Sequence, residues 1–140
     1  MIPLFNVVAP GFHSTIQDEG RRGFQHVGVP LSGALDRDGL RLANALVGNS
    51  PGAAALEIMG SGPVFEVVAS SVRVALMGGE SLMIDGTDTP IRPGRTVRVR
   101  KGDTLRIKFG GDALCAYLAV EGGFDVPLCL VVSATSDGAR

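Results

Sequence analysis

The sequence contains few cysteines and no cluster of charge of one sign. Its two cysteines, Cys115 and Cys129, lie in apolar surroundings, and neither they nor His13 and His26 have the spacing of a metal site. We therefore predict two buried free thiols in a reducing compartment, and no metal. The 13 basic and 14 acidic side chains nearly balance, which argues against nucleic acid or an anionic membrane as a partner.

Long apolar stretches are also missing. No run reaches the roughly 18 residues of a membrane-spanning helix. The first residues, MIPLFNVVAPG, lack the basic and long apolar regions of a signal peptide, so we expect a cytoplasmic protein. A length of 140 residues fits one domain that can bury its own core, and 20 glycines with 8 prolines indicate many turns. Short strands fit this composition better than a helix bundle does.

The alternation of apolar and polar residues predicts a mainly β fold. In 96–100 and 105–109 the apolar side chains point one way and the polar ones the other, which indicates antiparallel strands with one face in water. Other apolar or alternating stretches predict further short strands, at 4–9, 14–18, 54–59, 63–68, 72–77, 81–84 and 114–120. The apolar run 126–132 indicates that another strand or domain should follow. This pattern predicts a β-barrel or sandwich with a single flanking helix.

The helix is predicted to run from Asp36 to Val47. Asp36 is a good N-cap residue, and Leu40 shares an apolar face with Val47. Gly48 provides a left-handed end to the helix. Gly39 weakens the helix by about 1 kcal/mol relative to alanine, so we expect the helix to depend on packing.

The segment 14–48 is too polar to be core and too patterned to be a linker. In it, Arg21 offers a planar fork for a carboxylate, carboxybiotin or phosphate, with Asp18 orienting it. The alternative is an Asp–Arg pair that stabilises a turn. Ser32 lies between glycines just before Asp36, where free amides at a helix N-terminus would favour an anion. The alternative there is a loop that leads into a capped helix.

Four further polar residues are candidates for substrate binding: Gln17, His26, Asn44 and Glu57. His26 suits general-base chemistry near neutral pH, or it is a hydrogen-bonded surface group. Asn44 faces away from the apolar side of the helix, so we expect it in solvent. Glu57, flanked by apolar neighbours in the stretch ALEIM, points either to solvent or into a polar cleft.

Six strings in a fixed order carry a family resemblance: STIQDEGRRG, GVPLSGALD, ANALVGN, AALEI, GPVF and YLAVEGGFDVP. Over residues 11–127 the chain resembles the biotin-dependent carboxyltransferases, also called allophanate hydrolase subunit 2. That family includes a 5-oxoprolinase subunit, the carboxyltransferase region of urea amidolyase, and an antagonist of a sporulation kinase inhibitor. The resemblance implies that residues 1–140 form one cyclophilin-like β-barrel, the N-terminal half of a longer architecture.

The resemblance also implies a function. The first expectation is a subunit of an ATP-dependent 5-oxoprolinase, which opens the lactam of 5-oxoproline to glutamate, with the ATP site on this chain or on a partner. Its partners would be a smaller kinase-inhibitor-like subunit and a lactam-utilisation subunit, and the isolated chain would be inactive. Two alternatives stay open. One is carboxyl transfer from carboxybiotin to urea or a related amide, with biotin as cofactor, and the other is a non-catalytic module that regulates a kinase-inhibitor-like partner.

The candidate residues take roles in either reaction. Both reactions develop negative charge, which Arg21 and the amides around Ser32 would stabilise. Asp18, Asp36 and Glu57 would orient polar hydrogens or transfer protons. The implied catalytic set is thus Asp18, Arg21, Ser32 and Asp36.

Overall fold

The computed structural model describes residues 4–9, 11, 13–17, 34–110, 115–124 and 130–132. Within these residues the chain forms ten strands and one helix, which confirms the mainly β prediction. The elements in chain order are β1 (Phe5–Ala9), β2 (His13–Gln17), α1 (Arg37–Leu46), β3 (Ala55–Met59), β4 (Val64–Val67), β5 (Ser71–Gly78), β6 (Ser81–Ile84), β7 (Thr96–Arg100), β8 (Thr104–Lys108), β9 (Cys115–Val120) and β10 (Leu130–Val132).

The strands form two five-stranded sheets. The first sheet has the order β10-β1-β4-β8-β6, and the second has the order β2-β3-β9-β5-β7. Neighbouring strands are antiparallel except for β1 and β10, which are parallel. Among the described residues no strand ladder joins the two sheets, so the strands do not close into a continuous barrel.

The inner faces of the two sheets share one apolar core. Phe5 and Phe65 of the first sheet stack with ring centroids 5.3 Å apart. Leu56 and Leu118 of the second sheet belong to the same cluster of buried side chains. Burial of about 25 cal/mol per Å² of apolar surface makes this cluster the main source of stability.

The outer faces of the sheets differ. On β8, Leu105 and Ile107 are buried while Arg106 and Lys108 are exposed, which confirms the predicted alternation there. The outer face of the second sheet is instead covered by α1. There the helix residues Leu40, Ala43 and Val47 pack on Ala55, Ala75 and Ala119, whose small side chains let the helix lie close to the sheet.

Helix α1 begins and ends as the sequence predicts. Asp36 is its N-cap, and the Asp36 carboxylate accepts a 3.0 Å hydrogen bond from the Gly39 N–H. Just past the helix, Gly48 has a φ of +80°, a conformation that glycine adopts without strain. In the described part of the chain no helix is long and apolar enough to cross a membrane.

Candidate functional site

The centre of the candidate site is a pair of polar side chains beneath the start of α1. Glu57 on β3 lies directly opposite Tyr117 on β9 in the strand register. Both side chains project from the covered face of the second sheet, and they are 5% and 1% exposed. Buried polar groups in such a place must be hydrogen-bonded, because an unpaired one costs about 1–3 kcal/mol.

A chain of hydrogen bonds satisfies this requirement. The Tyr117 hydroxyl donates to Oε2 of Glu57 at 2.6 Å, and the same oxygen accepts from the Leu35 N–H at 2.8 Å. The Tyr117 hydroxyl in turn accepts from the Asp36 N–H at 2.8 Å. The Glu57 carboxylate and Tyr117 therefore hold the backbone of residues 35 and 36 against the sheet.

Gly39 makes this close approach possible. A Cβ at residue 39 would lie 2.8 Å from an Asp36 carboxylate oxygen and 3.2 Å from the Tyr117 ring. An alanine would force the Asp36 carboxylate to move and would crowd the Tyr117 ring. The close packing of Gly39 against Asp36 and Tyr117 therefore explains why α1 depends on packing, as expected.

The environment keeps the phenol and the neighbouring thiol protonated. Burial, followed by the hydrogen bond to Glu57, raises the pKa of Tyr117 well above its ordinary value. Burial also raises the pKa of the Cys115 thiol, against a smaller opposite effect of the neighbouring Tyr117 hydroxyl. Tyr117 thus remains a hydrogen-bond donor at neutral pH, and Cys115 is a poor nucleophile.

Cys115 is a free cysteine, as predicted, but it is only partly buried. Cys129 lies outside the described residues. The described residues contain no group of three or more His, Cys, Asp or Glu side chains that could hold a metal ion.

Asp36 and Glu57 lie in one hydrogen-bonded group through Tyr117, but the helix amides there are not free. The amides at the start of the helix were predicted to be free for an anion. This is wrong for residues 35, 36 and 39, because their N–H groups bond to Glu57, Tyr117 and Asp36. Glu57 does not point to open solvent, since it is 5% exposed and its carboxylate accepts hydrogen bonds inside the structure.

The prediction that Asn44 faces solvent is wrong. Its side chain is fully buried and donates to the carbonyl oxygens of Pro51 and Ala53, at 3.2 and 2.8 Å. It also accepts a hydrogen bond from Asn49, whose amide donates to the Val120 carbonyl oxygen at 2.7 Å. The two asparagines therefore fasten the end of α1 to the chain beyond it and to β9.

Gln17 lies at the end of β2, partly buried, and its amide donates to the Thr15 hydroxyl at 3.0 Å. Gln17 pairs with Ala55 in the strand register, two residues from Glu57. The other four candidates, Asp18, Arg21, His26 and Ser32, lie outside the described residues.

Sequence reasoning did not single out Tyr117. Two signals were available: Tyr117 is the only tyrosine of the chain, and it lies in a strand of otherwise apolar residues. A buried tyrosine needs a partner for its hydroxyl. The choice of Glu57 as that partner depends on the pairing of β3 with β9, which sequence periodicity does not reveal.

Comparison with known proteins identifies the family. The sequence pattern described as "Carboxyltransferase domain, subdomain A and B" matches residues 27–138, most of the chain. The chain belongs to the carboxyltransferase domain family. Within this carboxyltransferase domain, the matched range includes Ser32, Asp36, Asn44 and Glu57, whereas Gln17, Asp18, Arg21 and His26 precede it.

Two curated relatives show the range of proteins in which such a domain occurs. A urea amidolyase of Lachancea kluyveri is 37% identical over 88% of this chain, which spans 7% of that protein. A 5-oxoprolinase subunit of Escherichia coli is 35% identical over 89% of this chain, which spans 39% of that protein. The chain therefore corresponds to a minor part of each relative's length.

Solved structures agree with the fold. The carboxyltransferase domain superposes on a crystal structure of TTHA0988 with a TM-score of 0.81, at 37% identity, over 89% of this chain and 46% of that one. It superposes on the Kluyveromyces lactis urea amidolyase with a TM-score of 0.79, also at 37% identity, over 89% of this chain and 7% of that one.

Proposed function

We propose that this carboxyltransferase domain is part of an ATP-dependent 5-oxoprolinase, an assembly that opens the lactam of 5-oxoproline to glutamate. The support comes from two relatives named as 5-oxoprolinase subunits, from Escherichia coli and Haemophilus influenzae, which are 35% and 31% identical to it. The word "subunit" in these names supports partners, for which we propose a kinase-inhibitor-like subunit and a lactam-utilisation subunit. The domain acts in that assembly and not alone.

One observation carries the assignment of the site. The segment 18–33 leaves from Gln17, which pairs with Ala55 on β3. It returns at Ala34, and the next N–H, that of Leu35, bonds to Glu57 on the same strand. Two residues of a strand span about 7 Å, so Gln17 and Leu35, the described residues on either side of this segment, are held by one short stretch of β3.

This anchoring supports a shared role for the candidate residues within the segment. Cleavage of an amide develops negative charge on the carbonyl oxygen, which the Arg21 guanidinium and the amides around Ser32 stabilise. Asp18 transfers protons in the same step. Glu57, Tyr117 and Asp36 act as positioning residues, because their hydrogen bonds hold the backbone of residues 35 and 36, which follows the segment closely.

Two places in the described part of the chain, the Gly78–Gly79 turn and the start of α1, do not fit the phosphates of ATP. Gly78 and Gly79 join β5 to β6 in a turn between strands, with no helix following them to present its amides. At the start of α1 the Asp36 carboxylate occupies the Gly39 N–H, and Asp38 adds a second acidic group in the first turn. We propose that ATP binds on a partner subunit rather than at either of these two places.

Carboxyl transfer from carboxybiotin to urea is the second candidate. It is favoured by the family description and by the urea amidolyase of Lachancea kluyveri at 37% identity. In that reaction Arg21 would bind the transferred carboxylate. Biotin would then be the cofactor, carried to the site by another domain or protein.

Reconstitution tests the two candidates. The chain is purified together with its two proposed partner subunits, and 5-oxoproline-dependent ATP hydrolysis and glutamate formation are measured. We expect Arg21→Ala to lower turnover at least tenfold with the fold intact, a loss of about 1.4 kcal/mol of transition-state stabilisation. Arg100→Ala is the matched control, because Arg100 is an exposed arginine on β7 and its turnover should stay at the wild-type value.

Wild-type turnover in Arg21→Ala would remove Arg21 from the site. Urea-dependent consumption of carboxybiotin, without any 5-oxoproline-dependent ATP hydrolysis, would select the carboxyltransferase instead. Stable association with the partner and neither activity would select the regulatory module.

A further inference from the structure

A cleft opens on the surface at the connection between β6 and β7. It has a volume of about 400 Å³, within the range of small-molecule pockets. Its walls include Arg92 and Arg95, the hydroxyl-bearing Thr89 and Thr96, and the apolar Ile91. None of the described residues that line it is acidic.

A tight turn brings the two arginines together. Arg92 and Arg95 flank Pro93 and Gly94, and the φ of +91° at Gly94 fits the third position of a type II turn. The end residues of a β-turn have Cα atoms within about 7 Å of each other. Two like charges are thereby placed where an oxyanion can contact both of them.

The turn is fastened to both sheets. The Gly94 N–H donates to the Leu76 carbonyl oxygen of β5 at 2.8 Å. On one side, Ile91 and Leu82 of β6 exchange two hydrogen bonds of 2.9 Å. On the other side, Thr96 begins β7 and pairs with Ala75. The arginines therefore project from a backbone that is ordered before any ligand arrives, which lowers the cost of binding.

The charges of these two arginines are not neutralised by the protein. Arg73 and Arg98 lie near Glu121, and Arg106 pairs with Asp85 at 2.8 Å. Neither Arg92 nor Arg95 forms an ion pair with any residue that the structure describes. Glu80 lines a smaller cavity of about 110 Å³ that Arg92 also borders, but it is not within ion-pair distance of Arg92.

We propose that this cleft binds a small organic anion. Its carboxylate or phosphate group would take bidentate hydrogen bonds from Arg92 and Arg95. Its apolar body would lie against Ile91, and the threonine hydroxyls would complete the polar contacts. Two cations that line one cleft and have no ion-pair partner among the described residues are the reason for expecting an anionic ligand here.

This site is separate from the Glu57–Tyr117 pair. In the second sheet β7 is three strands away from β3, a separation of about 14 Å. The inference does not depend on the proposed lactam-opening activity, and a failure of either leaves the other standing.

Calorimetric titration of the whole chain tests the proposal. The probes are glutarate, glycerol 3-phosphate and inorganic phosphate, at one ionic strength maintained with sodium chloride. We expect saturable binding of one equivalent of glutarate or of glycerol 3-phosphate, and the tighter of the two identifies the anionic group. Inorganic phosphate should bind more weakly than the organic probes, because it lacks the apolar body.

Three variants decide the location. Arg92→Gln and Arg95→Gln should each weaken binding about tenfold, because each removes half of the oxyanion contacts. Arg100→Gln removes the same charge from an exposed arginine outside the cleft and should leave binding within about twofold, since exposed charges are screened by salt. Circular dichroism confirms that each variant is folded. Absence of saturable binding by every probe, or an equal loss in Arg100→Gln, would overturn the proposal.

Discussion

Polar side chains on the outer faces of the two sheets differ in their exposure to water. On the first sheet Arg106 pairs with Asp85 at 2.8 Å, yet the two side chains remain 54% and 46% exposed. On the second sheet Glu57 accepts a 2.6 Å hydrogen bond from Tyr117 and is 5% exposed. The two bonds have similar lengths but different environments. Water competes for the bond between Arg106 and Asp85, and it is excluded from the bond between Tyr117 and Glu57.

The cover supplied by α1 makes the difference. Alanines at 55, 75 and 119 and the glycine at 39 allow the helix to approach the second sheet closely. The first sheet has no such cover among the described residues. A polar group beneath the helix has to find a partner within the protein, and the carboxylate of Glu57 finds two donors there.

The largest effect should come from removing the cover. Leu40→Ala deletes a fully buried side chain between α1 and the second sheet, and it should lower the free energy of unfolding by about 2–5 kcal/mol. Leu42→Ala is the same substitution on the exposed side of the helix, where Leu42 is 53% exposed. It should change the free energy of unfolding by no more than about 0.5 kcal/mol. Urea denaturation measures both, and similar losses would show that the helix does not cover the sheet.

Removing a carboxylate from each outer face compares the sheets directly. Glu57→Ala leaves the Tyr117 hydroxyl and the Leu35 N–H without their acceptor. The free energy of unfolding should fall by about 1–3 kcal/mol for each of these groups that water does not reach. Glu66→Ala makes the same change on β4 of the first sheet, and we expect about 0.5 kcal/mol or less. If the two variants unfold at the same urea concentration, the distinction between the faces is wrong.

Alkaline titration probes the covered face. Tyr117 is the only tyrosine, so phenolate absorbance in the ultraviolet reports this residue alone. Its pKa is raised in the folded state, so its contribution to stability is complete below the unfolded pKa of about 10 and is lost as the pH rises through the folded pKa. The folded chain should show little phenolate at a pH where the urea-unfolded chain is ionised. Titration at the same pH in both states would contradict this.

The smallest effect should appear on the open face. The hydrogen bond from Arg106 lowers the pKa of Asp85, so the pair contributes stability above the unfolded pKa and loses it as the pH falls through the folded pKa. Asp85→Asn should therefore differ slightly from the wild type at neutral pH and not at all in strong acid. Added salt should shrink the neutral-pH difference, because both groups lie in solvent. A difference that persists in strong acid would require another cause.

Local pattern was sufficient for most of the secondary structure. The strands 81–84 and 96–100 have the predicted bounds, and the helix has the predicted N-cap at Asp36. Period-two alternation and helix caps act over a few residues, so they are visible in the sequence alone. The same local signals led to an error at Asn44, which lies off the apolar face of the helix but is buried by the chain that follows α1.

Sequence by itself determined where the elements lie, which side chains share a strand face, and, through six ordered motifs, the family. Only the tertiary structure decided that one outer face is covered, that Glu57 is paired with Tyr117, and that two arginines stand beside a cleft with no ion-pair partner among the described residues. The physical reason is the separation along the chain over which each signal acts. Propensity and periodicity depend on neighbours in the chain, whereas burial and hydrogen-bond partners depend on contacts between residues as distant as 57 and 117.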